Sequence, residues 1–260
     1  MKYMATSIPR QLMVDRHIRA RGIADQRVLD AMASVHREDF LPPDLIEFAY
    51  DDQALPIEAG QTISQPYIVA LMAEAAKLQP GNTVLEIGTG SGYAAAVFAE
   101  IAARVYTIER HADLAEGAKE RLTQLGYHHI EVRCGDGTLG WLEYAPFDAI
   151  IVAAGGPEVP RALLDQLAVG GRLVIPVGSS HAQELVRVTR RSEAEFDRED
   201  LGAVRFVPLI GEQGWSEPEQ VSKPAVVSVG KRASRATSIS KGDAVIASSS
   251  SYFHPTPADG

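Results

Sequence analysis

The segment VLEIGTGSGYAAA, residues 84–96, constrains the fold of this chain more than any other stretch. It joins an apolar strand pattern to a helical pattern through three glycines, Gly88, Gly90 and Gly92. Glycines at such a junction let the backbone turn tightly and approach a ligand closely, because no Cβ is in the way. In an open α/β sheet, ligands bind beyond the carboxyl ends of the strands. The segment therefore predicts a strand, a ligand-binding loop and a helix.

After residue 83 the pattern alternates between strands and helices. The predicted strands are TVLEI, RVYTIE, IEVRCGDG, FDAIIVAA, RLVIPVG, ELVRVTR and VRFVPLIG, and the predicted helices are YAAAVFAEIAA, ADLAEGAKERLTQLG and PRALLDQLAVGG. This alternation is typical of an α/β, doubly wound, mostly parallel sheet with helices on both faces. The charged stretch RRSEAEFDRED predicts a turn between the last two strands, which would then form an antiparallel edge hairpin.

The first eighty residues predict helices that pack on this core. PRQLMVDRHIRARG predicts a helix ending at Gly22, and DQRVLDAMASV predicts a helix with Asp25 as its N-cap. SQPYIVALMAEAAKL predicts a third helix, with Pro66 in its first turn and Ser64 near its cap. We therefore expect a helical segment over 1–80 and a ligand-binding core over 81–215.

Residues 216–260 differ in composition from the rest of the chain. They contain ten serines in 45 residues and few large apolar groups. Such a segment buries too little apolar surface to offset the entropy lost on ordering. We expect a Ser-rich, largely disordered tail.

Composition also narrows the partners. The formal net charge of −9 argues against a broad electrostatic surface for nucleic acid or anionic lipid. The single cysteine, Cys134, excludes an internal disulfide and a multi-cysteine metal site, and we interpret His111, His128 and His129 as solvated. The chain begins without an apolar signal region and has no stretch near the roughly 18 apolar residues of a membrane span. We expect a soluble, cytoplasmic monomer with no metal.

Acidic residues end three successive predicted strands, at Glu86, Glu109 and Asp136. The dinucleotide fingerprint G-x-G-x-x-G does not fit, because Tyr93 stands at its third glycine and Glu86 would repel a pyrophosphate. S-adenosylmethionine carries an amino group and a sulfonium but no phosphate. We expect Glu86 to face its cationic part, Glu109 to accept the ribose hydroxyls and Asp136 to accept the adenine amino group. The alternative is that the three acids are polar strand ends without a ligand.

The residues after the fourth predicted strand bear on the methyl acceptor. Methylation of a base amine usually requires Asn or Asp, two prolines and an aromatic residue there, and this chain has VAAGGPEVP. Methylation of a pyrimidine carbon requires a cysteine nucleophile, and Cys134 lies beside the expected adenine site. A carboxylate is ionised at neutral pH, so the enzyme needs only to align it with the methyl group and exclude water.

The segments GQTISQPYIVALMAE and VLEIGTGSGY together resemble protein-L-isoaspartate O-methyltransferases. The likeness continues through YTIER, CGDG, PFDAIIVAA, GGRLVIPVG and VRFVPLIGEQGW, over roughly residues 10–215. The resemblance implies the Rossmann-like fold of class I methyltransferases. It also implies methyl transfer from S-adenosyl-L-methionine to the free carboxylate of isoaspartyl residues in damaged proteins. The ester then collapses to a succinimide, which hydrolyses partly to normal aspartate.

The resemblance assigns roles to particular residues. It implies that Ser64 is the active-site residue, that the loop Gln61–Ser64 covers the cofactor, and that VRFVPL holds an extended substrate with Val207 at the peptide. From the residues alone an N-cap role for Ser64 is favoured, and Ser64 could fill both roles. The expected substrate-binding residues are Ser64, Tyr67 and Val207. The expected cofactor-binding residues are Gln61, Thr62, Ile63, Glu86, Gly88, Gly90, Ser91, Glu109, Arg110, Asp136 and Gly137.

Two alternatives remain from the sequence. A small-molecule or tRNA methyltransferase would use the same cofactor site, but the TISQP segment argues against it. The second alternative is a binding module, which would hold the cofactor without transferring its methyl group. Ala153, where the family often has threonine, favours that module, whereas the presence of Ser64, Gly88, Gly90 and Glu109 argues for an enzyme.

Overall fold

The structure, a computed structural model, describes residues 2–217, with side chains from residue 7 onward. The chain begins with α1 (Lys2–Leu12), continues through one π-helical stretch (Met13–Ile18) and a 3-10 turn (Arg19–Arg21), and ends this helical path at Gly22 with φ 103°. The predicted end at Gly22 is confirmed, although the helix starts earlier than predicted. From residue 218 onward the predicted tail lies outside the described residues.

The second and third helices begin in different ways. In α2 (Gln26–Ser34), the backbone N–H of Arg27 donates to the Asp25 carboxylate at 3.0 Å, so the predicted N-cap is confirmed. Helix α3 (Pro66–Ala76) has Pro66 in its first turn, as predicted, but Gln65 is its N-cap and no side chain at that position caps it. The predicted capping role of Ser64 is therefore wrong. Two short paired strands precede α3, namely β1 (Leu55–Pro56) and β2 (Thr62–Ile63).

A seven-stranded sheet forms the centre of the described part of the chain. Its strands are β3 (Thr83–Ile87), β4 (Arg104–Glu109), β5 (Ile130–Cys134), β6 (Phe147–Val152), β7 (Leu167–Gly178), β8 (Gln183–Arg190) and β9 (Phe196–Val204). Three α-helices lie between them, α4 (Tyr93–Ala99), α5 (Ala112–Gln124) and α6 (Arg161–Asp165). The strand order is β5-β4-β3-β6-β7-β8-β9; the first five strands of that order run parallel, and β8 and β9 form an antiparallel hairpin at one edge. The predicted α/β fold with an antiparallel edge hairpin is confirmed.

The last strand lies earlier in the sequence than predicted. Residues 196–200 of the charged stretch interpreted as a turn belong to β9, whose side chains are largely exposed and therefore need not be apolar. The segment VRFVPLIG instead follows β9 as an irregular stretch, with single bridges that pair Pro208 with Gly155 and Ile210 with Trp215. The prediction of a continuous strand there was wrong, because among the described residues the backbone after Val204 pairs only through such single bridges.

The helix predicted over PRALLDQLAVGG is also shorter than expected. It ends at Asp165, and β7 already begins at Leu167, which pairs with Phe147 of β6. The two glycines that suggested a helix end lie inside β7. Pairing with the neighbouring strand overrides the local signal.

Apolar side chains on the two faces of the sheet enter two different cores, because successive residues of a strand point to opposite faces. Val84 and Val105 pack in one core with residues of α2 and α3, such as Leu29. Leu85 and Tyr106 pack in the other, together with residues of β6, β7 and α6. Among residues 2–217, no helix combines the length and apolarity needed to cross a membrane.

Candidate active site

The glycine loop connects β3 to α4 and forms the floor of a cleft. Gly88, Gly90 and Gly92 all have positive φ, at 95°, 52° and 90°. A Cβ on Gly90 would lie only 3.3 Å from the Ile57 side chain, and one on Gly88 would lie 3.5 Å from Ala153. The sequence pattern therefore identified a loop whose backbone conformation and close packing both favour glycine.

Glu109, at the end of β4, ties this loop to the neighbouring strand. The backbone N–H of Gly90 donates to one carboxylate oxygen at 2.9 Å, and the N–H of His111 donates to the other at 3.0 Å. The side chain is 5% exposed and lines the cleft. Each carboxylate oxygen can accept more than one bond, so Glu109 can also accept ligand hydroxyls.

Glu86 is completely buried within the sheet at the end of β3. The Thr107 hydroxyl donates to one of its oxygens at 2.5 Å, while the other oxygen, Oε1, has no hydrogen-bond partner in the structure. Burial raises the pKa of Glu86 to about 8, and the neighbouring Glu109 carboxylate adds to the rise. Glu86 is not among the residues that line the cleft, although the next four residues are.

Asp136 stabilises a segment next to the cleft without lining the cleft itself. Its carboxylate accepts hydrogen bonds from the backbone N–H and hydroxyl of Thr138, and from the backbone N–H of Glu212 at 2.8 Å. It thereby fastens the segment around Glu212 to the end of β5. Its neighbour Gly137 lines the cleft and Asp136 does not. The predicted contact of Asp136 with an adenine amino group stays a prediction.

The cleft lies at the carboxyl ends of β3 and β4 and encloses about 790 Å³, including space open to solvent. Most of the predicted cofactor-binding residues line it, namely Gln61, Thr62, Ile63, Gly88, Gly90, Ser91, Glu109, Arg110 and Gly137. An apolar wall that the sequence analysis did not identify completes it, formed by Val69, Ile87, Ile108, Ala154, Leu209 and Ile210 among others. Two of these residues, Ile87 and Ile108, directly neighbour a predicted residue in the sequence. That adjacency is the signal by which the sequence could have identified them.

A second groove meets this cleft. Predicted substrate-binding residues Tyr67 and Val207 line the groove together with residues of β9 and of α3. Five residues line both the cleft and the groove, namely Thr62, Ser64, Ala153, Val207 and Pro208. The predicted catalytic residue therefore lies where the two spaces join.

The Ser64 side chain makes no hydrogen bond to any other residue between 2 and 217. Its backbone is held, since its carbonyl accepts a bond from Arg37 at 3.1 Å. The following helix takes no cap from it. Its hydroxyl is thus available to a ligand.

Arg110 and the histidines occupy the rim near Glu109. Arg110 lines the cleft, forms an ion pair with Glu217 and lies 3.3 Å from the His111 ring. His111 and His129 are half-buried and His128 is exposed, so the prediction of solvated rings is met only in part. Within the described ranges, no three His, Cys, Asp or Glu side chains come together in a way that could hold a metal ion.

The groups around the cleft fit the expected S-adenosyl-L-methionine. Glu109 is the one carboxylate among the described residues that line the cleft, and the lining cation Arg110 is already paired with Glu217. Gly88 and Gly90 line the cleft with positive φ, and the buried Glu86 retains an oxygen without a partner among the described residues. These features favour a ligand with amine and hydroxyl donors over a pyrophosphate.

Comparison with known proteins identifies the family of the chain. The model of the family "Protein-L-isoaspartate(D-aspartate) O-methyltransferase (PCMT)" matches residues 9–214. A protein-L-isoaspartate O-methyltransferase of Rhodopseudomonas palustris is 58% identical over 214 residues, which cover 82% of this chain and 98% of that protein. Another, from Geotalea uraniireducens, is 60% identical over 207 residues, which cover 79% of this chain and 94% of that protein.

Solved structures give the same result. A protein-L-isoaspartate O-methyltransferase superimposes with a TM-score of 0.71 and 30% identity, covering 78% of this chain and 67% of that one. A putative enzyme of the same kind from Plasmodium falciparum, in complex with S-adenosyl-L-homocysteine, gives a TM-score of 0.67 and 27% identity, covering 77% and 98%. The chain therefore belongs to the protein-L-isoaspartate(D-aspartate) O-methyltransferase family, whose reaction transfers a methyl group from S-adenosyl-L-methionine to isoaspartyl carboxylates.

Proposed function

We propose that the cleft holds S-adenosyl-L-methionine, that the groove holds an extended segment of a damaged protein, and that Ser64 orients the acceptor carboxylate between them. The observation that carries this proposal is the position of Ser64 on the shared border, with a hydroxyl that bonds to no other described residue. Family membership favours the carboxylate acceptor over the small-molecule and tRNA alternatives.

The bound donor supplies an electrophilic methyl group on its sulfonium. Glu109 would accept the ribose hydroxyls while it keeps the Gly90 and His111 backbones in place. The Glu86 carboxyl within the sheet favours a cationic ligand once it is ionised. The remaining contacts of the donor would come from Gln61, Thr62, Ile63, Gly88, Ser91, Arg110, Asp136 and Gly137.

The acceptor side needs no catalytic base, because an isoaspartyl carboxylate is already ionised near neutral pH. The Ser64 hydroxyl would donate to this carboxylate and fix its direction, which is the chief requirement of a transfer between two bound groups. Ala153, Val207 and Pro208 bring mostly apolar surface to the junction and would exclude water from it. Tyr67 would contact the peptide further along the groove. The methyl ester formed would leave the groove and close to a succinimide, which starts the repair.

The partners follow from the same surfaces. Cleft and groove are both formed by one chain, so we propose a monomer that acts on isoaspartyl proteins and peptides in the cytoplasm. The net charge of −9 supports a role without nucleic acid or membrane.

Two variants with opposite expected effects test these roles. Ser64→Ala should lower kcat on an isoaspartyl peptide by about 10- to 100-fold, because one orienting donor is lost, while the Kd of the donor stays within about twofold. Glu109→Ala should instead raise that Kd by at least about tenfold, since it removes the ribose acceptor and frees the Gly90 backbone. Calorimetry measures Kd, and release of base-labile methyl groups measures kcat.

Matched controls complete the experiment. The same peptide with a normal aspartyl linkage should accept no methyl group, and Glu116→Ala, which removes an exposed acid on α5, should change neither constant. Wild-type kcat in Ser64→Ala, or an unchanged donor Kd in Glu109→Ala, would contradict the corresponding assignment.

A further inference from the structure

A buried guanidinium lies behind Ser64. The Arg37 side chain is 0% exposed. It donates to three main-chain carbonyls, those of Ala49 at 2.6 Å, Gln53 at 3.2 Å and Ser64 at 3.1 Å. It thus joins the turn after α2, the loop 49–53 and the residue at the border of cleft and groove.

Burying this charge is costly, and the fold does not compensate it with a bonded carboxylate. Within residues 2–217, the hydrogen-bond partners of Arg37 are neutral carbonyls, and its Nε has none. An apolar side chain in this place would leave the three carbonyls without their donor. The guanidinium therefore fixes three main-chain segments relative to one another, and one of them carries Ser64.

The loop 49–53 also holds the residues that follow Ser64. One oxygen of Asp52 accepts from the backbone N–H of Tyr67 at 3.2 Å, and the other accepts from the Gln65 side chain at 2.8 Å and from Arg21 at 2.8 Å. Asp52 thus supplies the cap that Gln65 does not give to α3. The Arg21 guanidinium lies over the Tyr67 ring, 3.4 Å from its centroid.

On its other side, Arg37 lies over the ring of Tyr93, without lining the cleft itself. Its guanidinium carbon lies 5.6 Å from the ring centroid of Tyr93, and Tyr93 lines the cleft below the glycine loop. The same side chain therefore spans from a wall of the cleft to the main chain of Ser64. Since the main chain of Ser64 is held through this group, a small movement of Arg37 would move the Ser64 hydroxyl.

We propose that Arg37 is a positioning residue for methyl transfer: it fixes the main chain of Ser64, and so directs the Ser64 hydroxyl toward the acceptor carboxylate. The inference rests on the proposed role of Ser64. Arg37 touches neither ligand in this assignment. A displacement of about 1 Å at a reacting group can cost about 100-fold in rate, so loss of this anchor should appear in kcat.

The test compares two arginines that each hold main-chain carbonyls. Arg190 donates to the carbonyls of Leu167 and Glu193, among others, at the far end of β8. Arg37→Lys should lower kcat on the isoaspartyl peptide by about tenfold or more, with the donor Kd within about twofold of wild type. Arg190→Lys should keep wild-type kcat. Both variants are assayed well below their measured unfolding temperatures, so a loss of folded protein cannot mimic the effect.

A double variant separates this inference from the role of Ser64 itself. If Arg37 acts through Ser64, Arg37→Lys should lower kcat much less in the Ser64→Ala background than in wild type. Equal effects in both backgrounds would overturn the inference, as would wild-type kcat in folded Arg37→Lys. Wild-type kcat in Ser64→Ala alone would instead remove the role of Ser64.

A second route covers the case in which Arg37→Lys does not fold. Arg37→Met replaces the charge with an apolar chain, and the same loss of kcat is expected. If neither variant folds, Asp52→Ala releases the loop 49–53 from the other side and should lower kcat as well. Unchanged kcat in a folded Asp52→Ala would then overturn the anchoring of Ser64 through this loop.

Discussion

At the scale of single residues, the buried carboxyl of Glu86 lies in surroundings that disfavour its ionised form. It has no exposed surface, one oxygen without a partner, and a second carboxylate nearby. The sequence analysis placed it at the end of the first strand of the core and expected it to face a cationic ligand. In the structure, burial raises the pKa of Glu86 to about 8, so its carboxyl is neutral in the folded chain at pH values below about 8.

This shift predicts a pH dependence of stability. Between about pH 4.5 and pH 8 the folded chain keeps a proton on Glu86 that the unfolded chain releases, so the free energy of unfolding falls as the pH rises through this window. Glu86→Gln cannot release that proton. The free energy of unfolding of Glu86→Gln should therefore fall less steeply with pH than that of the wild type. The two slopes should differ by up to about 1.4 kcal/mol per pH unit.

Urea unfolding of the donor-free protein at pH 6 and pH 8 measures this difference. Glu58→Gln, a substitution of an exposed acid, serves as the control and should follow the wild type. Parallel pH profiles for wild type and Glu86→Gln would contradict the expected protonation of Glu86.

Other residues of the site differed in how much the sequence revealed. Glu109 could be predicted because it ends a strand at a fixed distance from the glycine loop, and Ser64 came from a resemblance. Arg37 gave no local signal, because the carbonyls that it binds lie 12, 16 and 27 residues away in the chain. A buried charge whose partners are main-chain atoms leaves no pattern of side chains to detect.

At the scale of elements, the predictions succeeded where an element forms from adjacent residues. They failed where pairing with a neighbouring strand determines the bounds of the element. The strand, loop and helix around Gly88 form from adjacent residues, and their pattern sufficed. The start of β7 depends on pairing with Phe147, and β9 depends on pairing with β8, for example between Arg187 and Glu199, which also form an ion pair. Neither pairing can be deduced from the paired segment alone.

The glycine that begins α4 offers a test at this scale. Gly92 has φ 90°, and a Cβ there would lie 3.2 Å from the Leu122 side chain. Gly92→Ala should destabilise the protein by about 1–3 kcal/mol. Gly117→Ala makes the same change inside α5, where a Cβ would meet nothing within 4 Å, and should stabilise by about 0.5–1 kcal/mol.

Denaturant unfolding of both variants gives the two free energies. Opposite signs are the expected result. A Gly92→Ala protein as stable as the wild type would show that the loop can adopt a different backbone path.

At the scale of the whole molecule, the family match ends close to where the cleft is completed. The matched region stops at residue 214, and Trp215 then donates its indole N–H to the Gly155 carbonyl at 2.9 Å. Glu212 bonds to Asp136, and Ile210 lines the cleft. The segment 208–217 thus contacts the cleft and its walls, two residues beyond the end of the core predicted over 81–215.

Two truncations test this boundary. A chain ending at residue 217 should keep the donor Kd, the kcat and the unfolding temperature of the full chain, because every contact just described is retained. A chain ending at residue 209 should bind the donor at least about tenfold more weakly, since it loses a wall residue and the bonds to Asp136 and Gly155. Equal behaviour of the two truncated chains, or loss of activity in the longer one, would place the boundary elsewhere.

The strand β9 divides into two chemically different halves. Asp197, Arg198, Glu199 and Asp200 are exposed on the outermost strand of the sheet, whereas Leu201, Ala203 and Val204 line the groove. An open sheet edge attracts any unfolded chain, and charged side chains discourage such pairing. The charged half of β9 should therefore hinder strand pairing with a client chain, and the half without these charges lies beside the groove proposed to hold that chain.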